Sequence, residues 1–178
     1  MKKLYAYTAF RHWDRKGRYV FTKQDLAKVF FEDNPKTLTE GINRLVNDGI
    51  IMRACRGVYV NTHAQSFDGY IIEQIAKALR RGEYNYVSLE SMLSEYGLIS
   101  QIPIDRLTVM TTGRKGIFST HYGVIEFTHT KKSVSDILSQ VIRIEGRPLR
   151  IAVKELALKD LKNVGRNLQM VTKEQAYV

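Results

Sequence analysis

Between positions 36 and 44 the chain carries Lys36, Thr37, Thr39, Asn43 and Arg44, side chains rich in donors and acceptors. Asn pairs bidentately with the edge of adenine and Arg with that of guanine, so this set has the chemistry to read bases in a major groove. Lys23, Arg53 and Arg56 add positive charge on either side, suited to phosphates or to a minor groove. Taken singly, each residue is accounted for equally well as polar cover on a solvated helix. The constellation as a whole points to double-stranded DNA.

Other chemistries find less support. His121 and His129 are expected on neighbouring strands, but two histidines without a third ligand do not make a metal site. Gly113-Arg114-Lys115-Gly116 is basic and glycine-rich, lacks the spacing of a P-loop, and reads as a plain hairpin turn. Cys55 has no base in the pattern to activate it. A nuclease would need clustered carboxylates around a metal ion, and Asp105, Glu126, Asp136 and Glu145 are scattered. No catalytic or metal-ligating residue and no cofactor is therefore assigned, and the chain is expected not to be an enzyme.

The elements that must position the basic set follow from local pattern. Met1, Leu4, Tyr7, Phe10 and Trp13 recur every third residue and predict one apolar face of a first helix. Thr22 followed by Asp25 resembles a capping box opening a short second helix over 23–31. Asn34-Pro35 supplies an N-cap and a first-turn proline for a third helix, with Leu38, Ile42, Leu45 and Val46 as its apolar stripe. Asp48-Gly49 ends that helix, and two β-rich runs, 50–54 and 58–61, flank the turn Cys55-Arg56-Gly57. Three short helices closed by a basic hairpin are the parts of a winged helix-turn-helix. Such modules bind DNA, with protein docking as the main competing use.

Residues 61–68 are polar, close on Gly69, and read as a linker between domains at 1–66 and 67–178. Two helices are expected after it, one on Ile72, Ile75, Ala76 and Leu79 and one opened by Ser88 and ended by Gly97. Runs at 106–112, 117–122 and 124–130 predict an antiparallel meander. A short helix at 133–138, strands at 141–145 and 149–151, and a closing helix near 153–163 complete a mixed α+β half.

Composition agrees with this division. The 178 residues include 28 Lys and Arg against 18 Asp and Glu, a net charge of +10. Residues 1–66 hold 12 basic and 6 acidic side chains and residues 67–178 hold 16 and 12, so the shorter half has the larger excess, +6 against +4. On charge alone that asymmetry suits a polyanion at the N-terminal end and a solvated basic surface about equally. A hydrophobic content of 44% is enough for a packed core, and a single cysteine excludes a disulfide framework. No stretch approaches the roughly 20 apolar residues of a membrane span. The lysines at the N-terminus are followed by Tyr, Thr, Arg, His and Asp where a signal peptide needs an apolar run, so a cytoplasmic protein with no membrane contact is expected.

Three segments carry a family resemblance. Residues 86–99 (YVSLESMLSEYGLI), with 107–113 (LTVMTTG) and 122–129 (YGVIEFTH), resemble the central signature of AbiEi-type antitoxins. Residues 151–161 (IAVKELALKDL) are similar to that family's closing helix, although Val153 stands where a small residue or proline is usual and the Lys and Glu are exchanged. The resemblance implies an antitoxin of a type IV toxin–antitoxin pair, tied to phage abortive infection. Its winged helix would bind inverted repeats at the promoter and repress the operon. Its second domain would counteract an AbiEii-like nucleotidyltransferase toxin without a stable complex, acting as a monomer or weak dimer. Arg80, Arg81, Arg114, Lys115, Lys131 and Lys132 fall at element ends and turns and are the expected antitoxicity surface, with plain solubility as their ordinary role. The rival reading is a stand-alone regulator whose second domain senses a ligand or dimerises.

Overall fold

A computed structural model describes residues 2–99 and 105–171. They form a mixed α+β chain in two compact units, Met1–Leu79 and Arg80–Val178. Among the described residues no helix is long and apolar enough to cross a membrane.

The first unit runs α1 (Lys3–Asp14), β1 (Val20–Thr22), α2 (Lys23–Val29), α3 (Pro35–Asn47), β2 (Met52–Cys55), β3 (Val58–Val60) and α4 (Ile71–Leu79). Its antiparallel sheet has the order β1-β3-β2, with a bulge between Arg53 and Cys55. The core gathers Ala6, Phe10, Phe21, Leu26, Phe30, Leu38, Ile42, Leu45, Ile50, Ile51 and Tyr59. Phe10 stands edge-on to Phe21 and Phe30, with ring centroids 5.4 and 6.1 Å away, which adds aromatic geometry to apolar burial.

The face of α1 differs from the one its spacing predicted. Ala6 and Phe10 are buried, with Ala9 and Trp13 against them, while Leu4 and Tyr7 are exposed; Met1 lies outside the described residues. A strict spacing of three falls back about 60° per step on a helix that turns about 100° per residue, so such a row winds off the core. The buried row instead alternates steps of three and four.

The 61–68 segment is not a loose linker. Asp14 accepts from the Gln65 amide (2.9 Å), the Ser66 amide (2.9 Å) and the Ser66 hydroxyl (2.6 Å), and the Tyr19 hydroxyl donates to Asp68 (2.6 Å). The Ser66 hydroxyl and the two amides hold the Asp14 carboxyl below its ordinary range. His63 Nε2 lies 2.9 Å from the Gly49 carbonyl. The polar side chains thus strap the chain down, and α4 packs on β1 and β3. The units consequently divide after Leu79, whereas the sequence suggested residue 66.

The second unit runs β4 (Asn85–Val87), α5 (Leu89–Glu95), β5 (Arg106–Thr111), β6 (Gly116–Thr120), β7 (Gly123–His129), α6 (Val134–Leu138), β8 (Val141–Ile142), β9 (Arg150–Ala152) and α7 (Lys154–Val164), then a 3-10 turn at Leu168–Met170. Its mixed sheet has the order β6-β7-β5-β4-β9-β8. The antiparallel meander is therefore not formed. β5 and β7 are parallel neighbours, β6 pairs with β7 and with no other strand among the described residues, and β5 pairs on its other edge with β4, antiparallel. Burial explains the order: β5 is buried from Leu107 to Thr111 and takes a central place with both edges paired, while β6 alternates between half-buried and exposed and sits at the edge.

Candidate nucleic-acid interface

Helix α3 is built by local chemistry. The Asn34 carbonyl side chain accepts from the amides of Lys36 (3.1 Å) and Thr37 (2.9 Å), and Pro35 occupies the first turn. Leu38, Gly41, Ile42 and Leu45 are buried on one side. On the helical wheel Lys36, Glu40, Asn43, Arg44 and Asn47 fall within about 100° on the opposite side, and all five are exposed. No side-chain hydrogen bond or ion pair holds Lys36, Asn43 or Arg44 among the described residues. Thr37 and Thr39 are half-buried at the margins, and the Thr39 hydroxyl donates to the Pro35 carbonyl at 2.8 Å. Asn47 was not among the sequence candidates; its spacing of four from Asn43 was the available signal. Glu40 sets one negative charge inside this face.

The second basic group lies where α2 meets the hairpin. Thr22 and Asp25 form the capping box, with the Thr22 amide donating to Asp25 at 2.8 Å and the Asp25 amide to the Thr22 hydroxyl at 3.1 Å. Arg18 completes the corner through an ion pair to Asp25 at 2.7 Å and lies over the Trp13 and Phe21 rings. The Lys23 amide donates to the Gly57 carbonyl at 2.9 Å, which ties the start of α2 to the turn between β2 and β3. Gly57 takes a φ of +79°, a conformation that favours glycine at this turn. Lys23, Arg53 and Arg56 are all exposed, with no side-chain partner among the described residues. Burial pushes the neighbouring Cys55 thiol up, which makes it a poor nucleophile.

The basic residues expected to form one surface on the second unit separate into two kinds. Arg114, Lys115 and Lys131 are exposed, as is Arg81. Arg80 is half-buried, stacked over the Phe118 and Phe127 rings at 5.0 and 4.7 Å, with its Nε donating to the Arg114 carbonyl at 3.1 Å. Lys132 does not belong to an open surface. Its ammonium donates at 2.5 Å to Asp160, which is 1% exposed and also accepts from the hydroxyls of Tyr86 (3.0 Å) and Ser88 (2.9 Å). Burial first, then the Asp160 charge, pushes the Tyr86 phenol well above its ordinary range. Ser88, expected to cap α5 through its side chain, spends its hydroxyl on Asp160 instead.

A second buried network holds the chain after α7. Arg166 binds Glu90 at 3.0 Å and also Glu126, Arg106 binds Glu126 at 2.6 Å, and Asn167 donates to Glu90 at 2.7 Å. Burial raises the Glu126 pKa, and the Arg166 and Arg106 guanidinium groups overcome it, leaving the carboxyl below its ordinary range. None of these groups was legible as a cluster in the sequence. Their partners lie 20 to 77 residues apart along the chain.

Among the described residues no cluster of three or more His, Cys, Asp and Glu side chains is disposed to hold a metal ion. His121 lies in the turn before β7 and His129 at its far end, so the two are at opposite ends of one strand and not side by side. No family model, curated protein or solved structure matches this chain.

Proposed function

We propose that the first unit is a winged helix-turn-helix that binds double-stranded DNA, with α3 in the major groove and the β2–β3 hairpin as the wing. The observation that carries this reading is the outward row of Lys36, Asn43, Arg44 and Asn47, without side-chain partners among the described residues, on a helix anchored by Asn34 and Ile42. Asn43 and Arg44 supply bidentate base contacts, and Lys23, Arg53 and Arg56 supply phosphate contacts. The order helix, strand, helix, helix, hairpin supports the same module.

The biological role we infer is that of a cytoplasmic AbiEi-type antitoxin of a type IV pair. It represses its own operon at inverted repeats and counteracts a nucleotidyltransferase-like toxin without a stable complex. The segments at 86–99, 107–113, 122–129 and 151–161 support this role. The second reading is a stand-alone repressor, and it draws on the same DNA-binding face.

Two experiments test the two levels. Anisotropy titrations of the full chain against DNA from upstream of its own gene, and against random DNA, should show tighter binding to the former, and equal weak binding to both would end the operator reading. Co-expression with the adjacent gene should restore growth if that gene encodes the toxin. Operator binding without rescue would leave the stand-alone repressor.

A further inference from the structure

The loop between β5 and β6 is not the hairpin turn its sequence suggested, since those two strands do not pair with each other. It leaves the central strand β5, passes the end of β7, and enters the sheet edge as β6. Its conformation is heavily determined. The Thr112 amide donates to the Tyr84 carbonyl and the Tyr84 amide to the Thr112 hydroxyl, each at 3.1 Å. The Gly113 amide donates to the Thr111 hydroxyl at 3.0 Å. Arg80, stacked on two phenyl rings, donates to the Arg114 carbonyl. A Cβ at position 113 would come within 2.9 Å of Glu83 Cγ, so a larger residue there would displace the Glu83 side chain from its place beside Thr112.

This fixed loop borders an open hollow of about 680 Å³ lined by Glu83, Thr112, Gly113, Arg114, Lys115 and His129. Arg114 and Lys115 are exposed, and among the described residues no side-chain partner neutralises either. His129 reaches the hollow because parallel pairing sets it beside Thr111. Its Nδ1 is 2.8 Å from the Gly113 carbonyl, which only accepts, so Nδ1 carries the proton, and Nε2 has no protein partner among the described residues. The Glu83 carboxylate is engaged by the Thr112 hydroxyl at 2.7 Å. Two cations and an imidazole therefore stand around one hollow against a single, already engaged carboxylate.

We propose that this hollow binds a phosphate monoester, the terminal phosphate of a nucleotide or of a nucleic-acid end. The cations gather at one place instead of tracking along a groove, which suits one compact dianion better than a run of phosphodiesters. A preformed loop lowers the ordering cost of binding. The site is independent of DNA binding by α3, and it assigns a ligand, not antitoxicity, to Arg114 and Lys115.

The test is an amide NMR titration of the full chain with inorganic phosphate, AMP and adenosine, and with short single-stranded oligonucleotides with and without a 5′-phosphate. Phosphate and AMP should shift the signals of 112–116 and 129, and adenosine should not. Contacts made by the DNA-binding face would report separately at 36–47. Arg114→Gln with Lys115→Gln should weaken AMP binding about tenfold or more, because charged donors to the phosphate are lost. Glu83→Gln keeps an acceptor for Thr112 but removes the anion, and should tighten AMP binding. Stronger binding of the 5′-phosphorylated oligonucleotide than of AMP identifies a nucleic-acid end as the source, and equal binding identifies the nucleotide. No shift at 112–116 and 129, the same shifts with adenosine, or undiminished affinity in the double variant would overturn the proposal.

Discussion

The α3 face and the interior of the second unit use positive charge in opposite ways. On α3, Lys36 and Arg44 point outward from an apolar stripe, and no carboxylate holds them among the described residues. In the second unit Lys132, Arg106 and Arg166 are each bound to a buried carboxylate. Net charge cannot distinguish these cases, since an outward cation and a paired one count alike. The first kind is available to a polyanion. The second closes a fold, because a carboxylate removed from water needs a partner to remain ionised.

Breaking the buried side should give the largest effect. Asp160→Ala leaves the Lys132 ammonium and the Tyr86 and Ser88 hydroxyls without their acceptor, and should cost the second unit about 3–5 kcal/mol. Denaturant unfolding followed by tyrosine and amide probes in that unit reads this loss. A cost under about 1 kcal/mol would mean the pair is not buried as described.

The outward side should fail in binding while the fold stands. Arg44→Ala should weaken operator binding by about 1–3 kcal/mol, with the thermal midpoint nearly unchanged. Loss of stability together with binding would instead place Arg44 among the structural cations.

Acid sharpens the contrast. The lowered Glu126 pKa stabilises the native state fully above the ordinary Glu range, about 4.3, and that contribution is lost as pH falls through the lower native value. Urea midpoints of the second unit should therefore drop as pH falls below the ordinary Glu range, about 4.3, and Glu126→Gln should flatten that slope. An unchanged slope in the variant would remove Glu126 as the titrating group.

The smallest effects come from exposed cations. Arg56→Ala should weaken operator and random DNA alike and reduce the salt slope by about one phosphate contact. Lys131→Gln should change stability by less than about 0.5 kcal/mol, while Lys132→Gln, one residue on, should destabilise clearly. Equal effects at 131 and 132 would erase the distinction between the two kinds of cation.

The adjacent pair Lys131 and Lys132 marks the limit of the sequence. The Asn34 cap, the Thr22–Asp25 box and the stripe of Leu38, Ile42 and Leu45 were all legible, because their partners lie within a few residues and helical periodicity displays them. Most of the candidate interface on the first unit was legible for the same reason. The row of α1 was misread because a spacing of three resembles a helical face over a short stretch only. Strand existence was legible at β5, β6 and β7, but their order was not, since pairing depends on which edge each strand leaves open once the others are in place. Whether a lysine faces solvent or a buried carboxylate was also beyond local pattern: Asp160 lies 28 residues from Lys132, and the two meet only after α7 has docked. By itself the sequence determined the Asn34 cap, the Thr22–Asp25 box and the polar face of α3, all products of contacts within one or two helical turns. Tertiary structure alone decided strand order, the strapped 61–68 segment and the burial of individual charges, because each needs chain segments that are distant in sequence to exclude water from a common site.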